Sequence, residues 1–261
     1  MRCFVGGLSV LGPGLPGWAA SESALAGREP WNWAEPSAPP PALLPPTERR
    51  RAGQTTRFAL AAAMEATEGE DRATLETVFA SSNGDGAVVG AILDTLHEPE
   101  GMVSPTQFHN SVHNAAAGYW HIAVGSAAPS VSVGGHDGVF AAGLVAAMAA
   151  IATGSGRVLL CGYDTPMPPP LRDVRRTDFP FAAAFLLHAG PGAGARAALE
   201  MTYRAGPPPA AAVPDALDML AEGNTAAHAV PLLRAIAARR ARVLHLKLAA
   251  DAHLEIRVTP C

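Results

Sequence analysis

The residues best equipped for chemistry fall into two stretches. The denser is His109-Asn-Ser-Val-His-Asn114, where five polar side chains lie within six positions. His109 and His113 are four apart, which places both on one helix face as a metal pair would need. No third ligand follows at useful spacing, so metal binding is the least favoured use of that pair. The second stretch is Gly134-Gly-His-Asp137, at the end of a short alternating run and the start of a long apolar one. A helix begun there exposes free N–H groups and partial positive charge, which can seat an anion or activate a thiolate. No thiol is present. Asp137 reads first as an N-cap, worth ~1 kcal/mol, and second as an anion mimic or base. His136 reads as a hydrogen-bonded turn residue or a general base. Ser111, His136 and Asp137 together supply the residue types of a hydrolase triad, although the chain has no Gly-x-Ser-x-Gly elbow.

The elements around Asp137 are legible. Val131 and Val133 alternate with serines, Gly134-Gly135 makes a turn, and Asp137 to Ala152 has no further charge, the pattern of a helix buried on all sides. After Gly154-Ser-Gly156, Arg157 to Cys161 is a second apolar strand, completing a βαβ unit whose turn aims Asp137 above the sheet. Upstream, Arg2 to Val5 predicts a strand, Ser21 to Ala26 a helix, Glu29 to Pro46 a proline-rich surface excursion, and Thr47 to about Thr67 a helix opening on Arg49-Arg50-Arg51. That arginine run is a solvated face or a rim for an acidic carrier protein. Leu75 to Ala80 predicts a strand leading through Ser81 to Gly86 into a helix over Ala87 to Leu96. The turn lacks the Lys and spacing of a phosphate loop. Downstream, Phe181 to Leu187 and Ala197 to Tyr203 predict two strands joined by the Gly190–Gly194 turn, and Gly206 to Pro214 a loop. A helix over Ala229 to Arg239 and a closing antiparallel pair, Arg242 to Leu248 with His253 to Val258, end the pattern.

Composition narrows the classes. The 261 residues with 49% hydrophobic content support a real core, and a net charge of −4 gives no reason to expect nucleic acid or an anionic membrane surface. Cys3 and Cys161 sit in apolar strand patterns and Cys261 is terminal, which reads as thiols in a reducing, cytoplasmic compartment and not as disulfides or a metal site. Glycines and Pro13 interrupt the N-terminal apolar run too early for a signal peptide.

Several motifs then align with a known family. Ser104-Pro105, Asn114, Ala117-Gly118, Pro129-Ser-Val-Ser-Val133 and Gly154 to Gly162 resemble the N-terminal half of a β-ketoacyl synthase of the thiolase fold. Val5 to Gly12 is similar to the family's opening strand and turn, and Ala80 to Gly86 to its small-residue turn. The resemblance implies an α/β, thiolase-like layered α/β/α domain, with an N-terminal half over residues 1–165 and a shortened second half over 178–258. In active relatives the nucleophilic Cys stands where this chain has Asp137, and neither the His-Gly-Thr-Gly nor the Asn-Ser-Phe-Gly-Phe-Gly-Gly motif is found. Lys247 is the single lysine. A carboxylate is a weak nucleophile and would repel a malonyl carboxylate.

The resemblance therefore implies a shortened, chain-length-factor-like protein that pairs with an active synthase in fatty-acid or polyketide synthesis of aryl-polyene type. The pairing would run through Pro129 to Val133, as a heterodimer or a homodimer. An acyl carrier protein would bring 4'-phosphopantetheine, with no cofactor held by the chain itself. The region of His113 and Asn114 would line the acyl tunnel or dimer contact, and Tyr119 and Phe140 would bound the tunnel or serve as bulky core residues. Gly134, Gly135, Ala141, Ala142 and Gly143 would leave room or allow close packing. The rival class is a thiolase-like acyl-thioester hydrolase or acyltransferase using Ser111, His136 and Asp137.

Overall fold

The computed structural model describes residues 1–192, 194–209 and 214–261. Its strands are β1 (Arg2–Gly12), β2 (Leu15–Pro16), β3 (Glu76–Ala80), β4 (Ser130–Val133), β5 (Arg157–Asp164), β6 (Phe181–His188), β7 (Ala197–Ala205), β8 (Arg242–Ala249) and β9 (Ala252–Pro260). Its helices are α1 (Trp18–Leu25), α2 (Pro46–Arg51), α3 (Gln54–Ala66), α4 (Gly86–His97), α5 (Pro105–Ser111), α6 (Ala115–Val124), α7 (Val139–Ala152), α8 (Leu171–Val174), α9 (Leu220–Gly223) and α10 (Val230–Ala237). The strands form one mixed sheet in the order β4-β3-β5-β6-β1-β7-β9-β8, with β2 folded back on β1. β4, β3 and β5 run parallel, and the remaining pairings are antiparallel.

Alternation along each strand divides the core between two helix layers, because successive side chains leave a strand on opposite faces. Phe79, Leu159, Cys161 and Tyr163 meet α3 and α6 on one face. Val78, Leu160, Phe185 and Leu187 meet α7 on the other. Two glycines allow helix and sheet to approach. A Cβ on Gly7 would overlap the Ala66 carbonyl at the end of α3, and one on Gly143 would come within 2.7 Å of the Ala80 methyl and 3.0 Å of Leu160. Close packing therefore accounts for Gly143. The inner face of β7, β9 and β8 buries Leu199, Met201, Ile256 and Leu246 in the core shared with α10.

Four expectations change. The first strand continues past Val5 to Gly12, with a register shift between Val5 and Leu8. The expected hairpin of β6 and β7 is absent: β1 lies between them and pairs with both, since its two edges are each open to an antiparallel neighbour. The helix expected over 47–67 divides at Ala52-Gly53, where the extended backbone of Ala52 ends α2 and Gly53 begins α3. Finally, α7 is not buried all round, because the sheet and residues 225–229 that pack on it leave one side only half-buried. Phe140, Leu144, Ala147 and Met148 are buried, whereas Ala142, Val145, Ala146 and Ala149 are half-buried. The Gly190–Gly194 turn and the Gly206–Pro214 loop lie partly outside the described residues.

One margin of the molecule stays open. Among the described residues, β4 is an edge strand with β3 as its single neighbour. Val131 on it is 47% exposed, and Met102, Phe108, Val112 and Ile122 around α5 and α6 are also exposed, at 87% and 68% for Met102 and Phe108.

Candidate functional site

Construction of the site begins below it, at a carboxylate. β5 runs its apolar sequence to Asp164, which is fully buried at the strand's C-terminal end. Its Oδ1 accepts from the Ser81 hydroxyl at 2.8 Å and from the Ser82 and Asn83 amides at 3.0 Å each, and its Oδ2 accepts from the Thr225 hydroxyl at 2.8 Å. The Asn224 side-chain amide donates to the Asp164 carbonyl at 3.1 Å. Burial pushes the Asp164 carboxyl above its ordinary range, and these donors oppose that shift without cancelling it. A single acid thus holds both the turn after β3 and the turn entering residues 224–225.

The turn after β3 carries the next layer. Arg175, just past α8, donates Nε–H to Asn83 Oδ1 at 3.2 Å and an Nη2 proton to the Ser82 hydroxyl. Its Nη1 donates to Asp137 Oδ1 at 2.6 Å and lies 3.2 Å from both ring nitrogens of His136. The Arg175 side chain is only 17% exposed and that of Asp137 48%. The hydrogen bond from Arg175, then its charge and those of His136 and Lys247, hold the Asp137 carboxyl below the usual range against partial burial.

Asp137, Val174, Arg175, Asn224, Thr225 and His228 line a cleft of about 390 Å³, with Glu222 and Lys247 at its wall. Burial lowers the His228 imidazole below its ordinary value, which Asp137 and Glu222 partly offset. None of the three thiols lines the cleft. Cys3 is buried with its thiol pushed up to about 12, Cys161 is buried and raised further, and Cys261 is exposed at the chain end.

Placement of the other candidates corrects several expectations. Asp137 does not cap α7: Gly138 holds that position, and the Asp137 side chain turns instead to Arg175. The three triad residues do not converge, because the Ser111 hydroxyl donates to the Phe108 carbonyl at 2.9 Å while His136 faces Arg175. Tyr119 and Phe140 are core residues. Tyr119 is buried with its hydroxyl donating to Asn110 Oδ1 at 2.9 Å, and Phe140 packs on Phe185 with ring centroids 5.6 Å apart. His113 Nε2 lies 2.8 Å from the Ser81 carbonyl, joining the α5–α6 segment to the turn after β3. Asn114 and His109 line a separate groove of about 340 Å³ with Phe108, Val112 and Ile122, on the open margin. Among the described residues no three His, Cys, Asp or Glu side chains gather as a metal site.

Sequence reasoning missed Asp164, Arg175 and His228 and set Lys247 aside. The available signals were slight: one acid ending an apolar strand, and the sole lysine of the chain.

Residues 23–247 match the family model for the β-ketoacyl synthase N-terminal domain. The chain belongs to that family. No curated protein sequence matches it. Among solved structures, a chain of the ketosynthase ApeO in complex with its chain length factor ApeC from Xenorhabdus doucetiae superposes with a TM-score of 0.76 at 19% identity, covering 98% of this chain and 99% of that one. The ishigamide ketosynthase/chain length factor gives 0.75 at 15% identity, covering 100% and 99%. A β-ketoacyl synthase from Burkholderia phymatum gives 0.63 at 15% identity, covering 78% and 64%. At these identities the likeness establishes the thiolase-type ketosynthase fold. The first two solved chains are matched over 99% of their own length. Among the described residues no helix is long and apolar enough to cross a membrane.

Proposed function

We propose that this β-ketoacyl synthase family member is a non-condensing, chain-length-factor-like subunit. It pairs with an active β-ketoacyl synthase, and the pair extends acyl chains borne on an acyl carrier protein in fatty-acid or polyketide synthesis of the aryl-polyene type. The observation that carries this reading is Asp137, which sits at the head of α7 in an ion pair with Arg175 and with no thiol along the cleft. A carboxylate so held is a poor nucleophile, its mixed anhydride would hydrolyse, and its charge would repel a malonyl group. Bond formation then falls to a partner.

The open margin supports pairing. An edge strand presents unsatisfied N–H and C=O groups that a second sheet can complete, and exposed apolar side chains beside it favour burial over solvation. Both features meet at β4 and the α5–α6 segment. The occurrence of ketosynthase–chain length factor pairs among the structural neighbours agrees with a heterodimer.

The test is recovery of the tagged chain from its native host, followed by reconstitution. A cysteine-bearing synthase should co-purify, and malonyl-dependent elongation on a carrier protein should require both chains. Recovery of the monomer alone, or elongation by this chain without a companion, overturns the reading.

A further inference from the structure

We infer that Arg175 and Asp137 form a brace that positions edge strand β4 for its partner subunit. The helix head that the resemblance assigns to the nucleophile thus helps, in this chain, to hold the assembly surface in place. This inference rests on the pairing proposed above.

β4 has little of its own to hold it. It spans four residues, pairs on one side only, and is followed by Gly134-Gly135. Next comes His136 at φ 49°, in the left-handed region that residues other than glycine adopt uncommonly. Beyond the ladder itself, the Thr77 hydroxyl donates to the Ser130 hydroxyl at 2.8 Å near the strand's start, and the Ser81 amide donates to the Val133 carbonyl at 3.1 Å, fastening its last residue to the end of β3.

The guanidinium of Arg175 adds a constraint on the turn that follows the strand. Through Ser82 and Asn83 it grips the segment after β3, and through His136 and Asp137 the segment after β4. The ends of two adjacent strands are thereby held to one cation, itself mostly shielded from water. His113, 2.8 Å from the Ser81 carbonyl, extends the same connection to the α5–α6 segment whose apolar side chains flank the edge. Strand edge and flanking helices are thus referenced to one another through the turn that Arg175 holds. An Asp137 serving as a base would need its carboxylate free in the cleft, whereas its Oδ1 is 2.6 Å from the Arg175 Nη1.

The brace is tested with Asp137→Asn and Arg175→Met, and with Asp215→Asn as a control that perturbs the remote Arg234 ion pair. Affinity for the co-purified synthase is measured by titration calorimetry, and amide exchange of residues 130–137 by mass spectrometry in the isolated chain. Asp137→Asn should weaken pairing about three- to tenfold, the scale of one partly exposed charge-assisted contact. Arg175→Met, which removes every arm of the brace, should weaken it further. Both should speed exchange at 130–137, while Asp215→Asn leaves pairing and that exchange unchanged. Unaltered affinity and exchange in the two brace variants overturn the inference. If the wild-type chain binds no synthase, the pairing reading falls. Unchanged exchange in the isolated brace variants would then independently refute the brace, and faster exchange would retain it as a local constraint only.

Discussion

Removing the Asp164 carboxylate should collapse the site from beneath. Asp164→Ala withdraws an acceptor from the Ser82 and Asn83 amides and from the Ser81 and Thr225 hydroxyls. The hydroxyls can rotate toward other acceptors. The two amides are fixed by the turn, and a buried donor left unpaired costs about 1–3 kcal/mol. Adding a cavity the size of a carboxyl group brings the expected loss to about 3–5 kcal/mol. For a chain of this length that corresponds to a fall in Tm of about 10 °C. Asp164→Asn retains an oxygen for the amides and turns its NH2 toward Thr225, whose hydroxyl can accept, so its loss should stay near 1 kcal/mol. Urea unfolding of the three proteins at pH 7, with calorimetry for Tm, measures both steps. Equal stability of wild type and Asp164→Ala would refute the view that this acid organises the two turns, as would an Asn variant as damaged as the Ala variant.

Further outcomes follow from the same contacts. The Asp137 carboxyl is depressed, so its contribution is present above the unfolded carboxylate value of about 3.9 and is lost as pH falls through the folded one. The stability gap between wild type and Asp137→Asn should therefore close on acidification. Asp164 is raised, so its contribution is present below that unfolded value and lost as pH rises through the folded one. The gap between wild type and Asp164→Asn should shrink in the opposite direction, and urea titrations from pH 3 to 8 distinguish the two. Gly7→Ala should be among the most damaging single changes, because the added methyl meets the Ala66 backbone carbonyl and not a yielding side chain. A loss of about 3 kcal/mol or more, or failure to accumulate folded protein, is expected by circular dichroism. Phe140→Ala should cost about 3–5 kcal/mol in urea unfolding, as expected for a core ring and not for a tunnel wall. Val131→Lys should leave monomer stability within about 0.5 kcal/mol yet abolish pairing with a synthase in gel filtration, since it places a charge on the open edge.

The sequence by itself determined the local units and the family. Periodicity of two in Val131 and Val133, an unbroken apolar run through Ala152, and Gly154-Ser-Gly156 were enough to place β4, α7 and β5, because each pattern is complete within a few turns or residue pairs. The closing β8–β9 pair was legible for the same reason. Absence of a thiol at the head of α7 was also plain from the letters alone. Tertiary structure decided what no local window contains. β1 enters between β6 and β7 because strand pairing satisfies backbone groups irrespective of distance along the chain, and no periodicity records which edge is free. The site is nonlocal in the same way: Ser81, Asp137, Asp164, Arg175 and Thr225 meet only when the C-terminal ends of β3, β4 and β5 come level. Asp137 looked like a helix cap in isolation and became the partner of Arg175 in the fold, since a buried-side guanidinium 38 residues away offers it a charged hydrogen bond that the helix amides do not.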